Sequence, residues 1–195
     1  MAGLEQWEDA AAAAVERLCG DSRKPLILIA IDGKSGSGKS TLANRLQEQF
    51  GGMVFHMDDF FLRPEQRTKE RLMETGGNVD YERFAQVLSQ IGTGEAIRYQ
   101  AYDCKSQILK PARYIPCERL NFIEGSYSQH PYFGDCYDLK IALDIGEKEQ
   151  KQRILSRNGA AMWERFEKEW IPKENEYLEK FRVFEKSDLK LTSIL

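Results

Sequence analysis

Residues 28–42 read LIAIDGKSGSGKSTL: an apolar run, a cluster of Gly and Ser, a single Lys, then helix-forming residues. The unbroken apolar stretch PLILIAI (25–31) suits a central strand of a parallel sheet covered on both faces. The cluster fits the spacing G-x-x-x-x-G-K-[ST], with Gly33, Gly38, Lys39 and Ser40 at the fixed places. That spacing has a mechanical cause. Glycines let the backbone turn its N–H groups inward with no Cβ in the way. The helix expected over 40–50 then aims its positive dipole end at an anion. Gly33, Ser35, Gly36, Ser37, Gly38, Lys39, Ser40 and Thr41 are therefore the expected cradle of a nucleoside triphosphate, ATP. Lys39 supplies charge over its outer phosphates, and the Ser40 hydroxyl suits Mg²⁺. A generic strand–helix turn has no need of three glycines followed by Lys-Ser.

Outward from this stretch the periodicity alternates. Residues 4–18 predict an amphipathic helix, with Leu4, Trp7, Ala11, Val15 and Leu18 on one face. MVFHM (53–57) reads as a short strand and YERFAQVLSQI (81–91) as a helix. LNFIEG (120–125) and LKIALDI (139–145) read as further core strands, and SDLKLTSIL (187–195) as a last one. AIRYQAYD and ARYIP look like a strand pair outside the main sheet. Residues 147–186 predict charged helix, broken at Asn158-Gly159 and kinked or restarted at Pro172. Strands alternating with helices imply an α/β fold with a parallel sheet. The 63–77 stretch reads as exposed, and the Glu/Lys-rich run 164–186 as a solvated helix face. The stripe Trp163, Phe166, Trp170 reads as packing.

Composition narrows the function. A net charge of −3 argues against a chain built to grip nucleic acid or an anionic membrane. The four cysteines form no CxxC pair, and with only two histidines a zinc site is not expected. The N-terminus lacks the basic start and apolar core of a signal peptide, and no stretch is long enough to span a bilayer. The expectation is a soluble, cytoplasmic protein with reduced thiols; homo-oligomerisation stays open.

A GTPase would show NKxD and DxxG, and neither occurs. Transfer to a hydroxyl benefits from a carboxylate that takes the proton. HMDDFF (56–61) puts Asp58 just past a strand, on the sheet edge where the glycine loop lies, as a candidate base or alternatively a turn aspartate. Glu124 ends another strand and could hold Mg²⁺ through water, with Ser40 and Asp58 as the other metal-side oxygens. Arg153 and Arg157, four apart, share a helix face suited to phosphate oxygens. Solvent pairing with Glu147 or Glu149 competes for Arg153. His56 reads as a packed strand residue, and Arg165 as a lid contact or a surface residue.

In order, the glycine loop, MDDFF, NVDYERF, AYDCKSQ, FIEGSY and QRILSRN resemble the uridine kinase-like P-loop kinases over about residues 25–190. The resemblance implies a P-loop NTPase three-layer α/β/α sandwich with a mostly parallel sheet. It implies one domain (1–195) with an N-terminal helix (about 4–18), an acceptor-side insertion (about 60–118) and a small helical lid (about 147–172). It implies an ATP- and Mg²⁺-dependent kinase for a small-molecule alcohol, a nucleoside above all, with nicotinamide riboside or pantothenate kinases and a non-catalytic ATP-binding module as alternatives. By it, Asp58 matches the general base, Phe61 an aromatic beside the acceptor sugar, and Asp80 an acid that holds sugar hydroxyls. Tyr102 stands at the nucleobase, Glu124 near the metal, and Arg153 and Arg157 on the lid. The sequence departs where the family's base-reading His is Gln107, where Leu109 and Lys110 replace an Arg, and where the lid shortens to NGAAMW.

Overall fold

The computed structural model describes residues 2–192. Its elements are α1 (Ala2–Asp21), β1 (Ile27–Gly33), α2 (Lys39–Phe50), β2 (Met53–His56), α3 (Lys69–Met73), α4 (Tyr81–Thr93), β3 (Ile97–Tyr99), β4 (Tyr102–Asp103), β5 (Ile108–Leu109) and β6 (Arg113–Ile115). There follow β7 (Leu120–Glu124), β8 (Leu139–Asp144), α5 (Glu147–Asn158), α6 (Ala160–Arg165), a π-helical turn (Phe166–Trp170), α7 (Ile171–Lys180), α8 (Val183–Lys186) and β9 (Leu189–Thr192). Residues 193–195 of the expected last strand, and the side chain of Leu4, lie outside the described residues.

The main sheet has the order β2-β7-β1-β8-β9, with every pairing parallel. β3–β6 and β4–β5 form two small antiparallel pairs apart from it, as the sequence suggested. Period-two alternation explains the layers. Ile27, Ile29 and Ile31 of β1 pack on one face against Trp7, Ala11 and Val15 of α1 and Leu42 and Leu46 of α2. Leu28 faces the other way, into a core that holds Phe55, Phe84, Val87, Ile91, Tyr177 and Leu178. The result is the three-layer sandwich. From β1 the chain crosses by α2 to β2 on one flank, while β8 lies on the other, so the carboxyl end of β1 is a switch point.

Two stretches differ from expectation. Within 63–77, Thr75, Gly76 and Gly77 are buried, because Arg71 reaches in to donate to the carbonyls of Gly77 (3.2 Å) and Val79 (2.9 Å). The run 164–186 is not wholly a solvated face: Glu174, Tyr177 and Leu178 of α7 are buried. The aromatic stripe splits. Phe166 is buried edge-on against Trp170 at 4.5 Å, whereas Trp163 sits under the Lys151 ammonium, so the stripe packs the lid on itself.

His130 is stacked on Tyr81 and Tyr177, donates from Nε2 to the Thr75 carbonyl and accepts the Tyr132 N–H at Nδ1. Both nitrogens are used by the neutral ring. Burial, then the nearby Arg71 charge, hold its pKa below the ordinary 6.5, against the Thr75 carbonyl, Glu74 and Glu82. The unfolded chain therefore takes up a proton that the folded chain refuses as pH drops through about 6.5. Stability contributed by this site is complete above that pH and is lost below it. His56, held above its ordinary value by the Glu124 hydrogen bond, works in the opposite sense. In urea melts at pH 7.5 and 5.5, His130→Asn, whose Oδ1 can still accept the Tyr132 N–H, should lose less stability on acidification than the parent. An equal or larger loss would contradict the assignment.

Candidate active site

The loop between β1 and α2 is built by close approach. At Gly33 (φ +130°) a Cβ would collide with the Leu143 carbonyl on neighbouring β8, and Gly38, which caps α2, has φ +102°. Only glycine takes both places without strain. Beneath the loop lies Asp32, fully buried. Its carboxylate accepts the N–H groups of Gly33 (2.7 Å), Tyr127 (3.2 Å) and Gln129 (2.8 Å) and the Tyr177 hydroxyl (2.7 Å). Burial pushes its pKa up, and these donors pull it back. Lys39, also buried, folds its ammonium onto the carbonyls of Gly33 and Lys34, each at 2.9 Å. The Ser37 hydroxyl is buried with no partner among the described residues.

Glu124 closes β7 and is buried, accepting Ser40 Oγ (3.1 Å) and pairing with His56 Nδ1 (2.5 Å). The sheet register causes this: His56 of β2 lies opposite Glu124 of β7. The reading of His56 as merely packed is thus corrected; its ring is half-exposed and bound to the acid expected near a metal.

Asp58 stands in the 3-10 turn Met57–Phe60 that leaves β2. Arg83 braces this turn, donating to the Asp59 carbonyl (2.8 Å) and lying over the Phe60 ring, while Tyr99 donates to the Asp59 carboxylate (2.5 Å). Asp58 itself is open to solvent yet set deep among protein atoms, and among the described residues no donor bonds to its carboxylate. Its pKa is raised, first by desolvation and then by the Glu124 charge, with Glu174 adding and Lys39 and Arg157 opposing.

Helix α5, on the stretch expected to form a lid, grips the loop from the side. On α5, Gln150 donates to the Ser35 carbonyl (3.0 Å) and Arg153 to the Gly36 carbonyl (3.2 Å), while Arg153 also pairs with Glu149, the partner weighed for it from the sequence. Arg157 is exposed, with Nε on Asn158 Oδ1 (2.8 Å), and Arg165 pairs with Glu169. Thr41 is exposed at the first turn of α2.

On the acceptor side, Phe61 is half-buried and bridges to Val79, and Tyr102 is buried with its hydroxyl unpartnered among the described residues. Asp80 differs from the expectation. It is 2% exposed, caps α4 by accepting the Arg83 N–H (3.1 Å), and is further held by Gln66 Nε2 (3.0 Å) and Arg83 Nε (3.3 Å). An aspartate that begins a helix finds its own backbone donors first. Gln107 differs too: it is exposed at the tip of the β4–β5 hairpin with φ +58°. The sequence reading missed Glu174 and Ser126, which meet at the loop. The clue to Glu174 was its spacing of three and four from Tyr177 and Leu178, which puts an acid on an apolar stripe.

A glycine-rich loop at the switch point of a parallel sheet, a strand-end acid beside it and a helix gripping it define a P-loop fold of the kinase type. The chain belongs to the Phosphoribulokinase / Uridine kinase family, whose sequence profile matches residues 28–161. Solved structures agree on the fold. A possible uridine kinase from Bacillus stearothermophilus superposes with a TM-score of 0.72 at 22% identity, covering 96% of this chain and 98% of the other. A candidate fructose transport system kinase from Silicibacter sp. TM1040 gives 0.75 at 24% identity, covering 94% and 98%. No curated protein sequence matches the chain significantly. Among the described residues no helix is long and apolar enough to cross a membrane.

Proposed function

We propose that the protein is a cytoplasmic kinase that transfers the γ-phosphoryl group of ATP to a hydroxyl of a small molecule, most favourably the sugar of a nucleoside. One observation carries this reading: Asp58, a carboxylate with no donor among the described residues, follows the carboxyl end of β2, on the same edge of the parallel sheet as the glycine loop after β1. Transfer to a phosphate acceptor needs no such base; transfer to an alcohol does. Backbone amides of residues 33–41 would hold the triphosphate. Lys39 would leave its two carbonyls for the outer phosphates. Asp58 would take the proton of the attacking hydroxyl, and Arg157 and Arg153 would close over the transferring group, excluding water.

Mg²⁺ fits the oxygen set. Ser40 Oγ and Glu124 already touch, while Asp58, on the acceptor side, is kept for the proton. Such a sparse set suits an ion held by one or two carboxylates together with phosphates and water. When bound it would neutralise charge developing on the phosphate oxygens.

The position of Gln107 favours keeping a second acceptor class in view. Exposed and left-handed at a hairpin tip, it gives little support to uracil or cytosine reading, so nicotinamide riboside, pantothenate or another alcohol stands as the alternative. The test is Mg-ATP turnover against a panel of nucleosides, nicotinamide riboside, pantothenate, CMP and UMP. Acceptor-dependent ADP release is expected from at least one alcohol. Tight ATP binding with no stimulation by any acceptor would identify a non-catalytic module instead, and activity on CMP or UMP alone would remove Asp58 as base.

A further inference from the structure

Ser35 has all three of its polar groups held by two helices, α5 and α7. Gln150 of α5 takes its carbonyl (3.0 Å). Glu174 of α7 accepts its N–H (3.0 Å) and, with the other carboxylate oxygen, its hydroxyl. Ser126 Oγ shares its one proton between that second oxygen (2.9 Å) and the Gly33 carbonyl (3.2 Å), one of the two carbonyls bound by the Lys39 ammonium. Glu174 is thus a buried carboxylate, 5% exposed, joining the far side of the lid to both ends of the segment 33–35. A buried charge with three donors is costly to strip, because each lost bond leaves a desolvated group behind. Nothing in the transfer chemistry calls for an acid here, and the rest of α7 docks without it through Tyr177 and Leu178.

We propose that Glu174 is a positioning residue: from the helix after the lid it sets the first arm of the glycine loop, so that the amides downstream of Ser35 face the triphosphate only while α7 is docked. The phosphate cradle and α7 are then one mechanical unit, and the π-helical turn Phe166–Trp170 leads directly into that anchored helix.

This inference rests on the nucleotide-binding part of the reading above, and the experiment separates the two. Mg-ATP affinity is measured by calorimetry, without acceptor, for the parent, Glu174→Ala, Glu174→Gln and Glu176→Ala, each with its thermal midpoint. Glu176 lies on the same helix but binds Thr75, away from the loop, so it controls for weaker docking of α7. Glu174→Ala should raise the Kd for Mg-ATP about tenfold or more, the loss of its hydrogen bonds to Ser35 and Ser126 being the cause. Glu174→Gln, which keeps an acceptor for the Ser35 N–H, should restore binding to within about threefold of the parent, and Glu176→Ala should stay within the same range. Parent-like binding by Glu174→Ala overturns the proposal, as does equal weakening by Glu176→Ala or no rescue by Gln. A parent that binds no Mg-ATP overturns the nucleotide reading itself, and this one with it.

Discussion

Asp58→Asn should bind Mg-ATP as the parent does and release ADP in the presence of its acceptor alcohol about 10²- to 10⁴-fold more slowly, the usual weight of a positioned general base. The expectation follows from where the side chain stands. Its carboxylate has no protein donor among the described residues, so replacing it by an amide breaks no hydrogen bond of the fold. The turn that carries it is braced through Asp59 and Phe60, by Tyr99 and Arg83, and keeps its shape. The effect therefore falls on kcat, with the thermal midpoint and the Kd for Mg-ATP little changed. A variant as active as the parent would leave Asp58 a turn residue and nothing more.

Lys39→Met should weaken Mg-ATP binding and turnover together, with kcat/KM down about 10²-fold or more, because a desolvated cation facing the outer phosphates has no substitute in the cradle. In the folded chain its ammonium is buried against the carbonyls of Gly33 and Lys34, which lose this donor in the variant but keep Ser126 Oγ and the Ser37 N–H, respectively. A modest drop in the thermal midpoint should accompany the loss. Added Mg-ATP should raise the midpoint of the parent and not that of the variant, since a ligand stabilises only the state that binds it. Equal thermal shifts in both proteins would show that Lys39 does not touch the nucleotide.

The sheet and the loop were legible because their signals are local. An apolar run of strand length, glycines at fixed offsets and a helix start lie within fifteen residues, and each is satisfied by neighbours in sequence. The helix boundaries at Gly159 and Pro172 were readable for the same reason. What was not legible depends on residues far apart. His56 meets Glu124 through strand register, and Glu174 meets Ser35 and Ser126 only after α7 has packed on the sheet. A charged residue in a charged run gives no sign that it will be buried, apart from the apolar positions three and four places on. The capping role of Asp80 was also there to read: DYER is a helix start, where an aspartate accepts a backbone N–H of the first turn. No pattern in FEKEW announces a π turn.

The most direct measurement is phosphorus NMR of the complete reaction, with protein, Mg-ATP and the acceptor that stimulates ADP release. An alcohol kinase yields a new phosphate monoester whose resonance couples to protons on the esterified carbon, in amount equal to the ADP formed. If all the terminal phosphate lost by ATP appears as free inorganic phosphate, no phosphoryl group reaches a hydroxyl, and the role given to Asp58 is wrong.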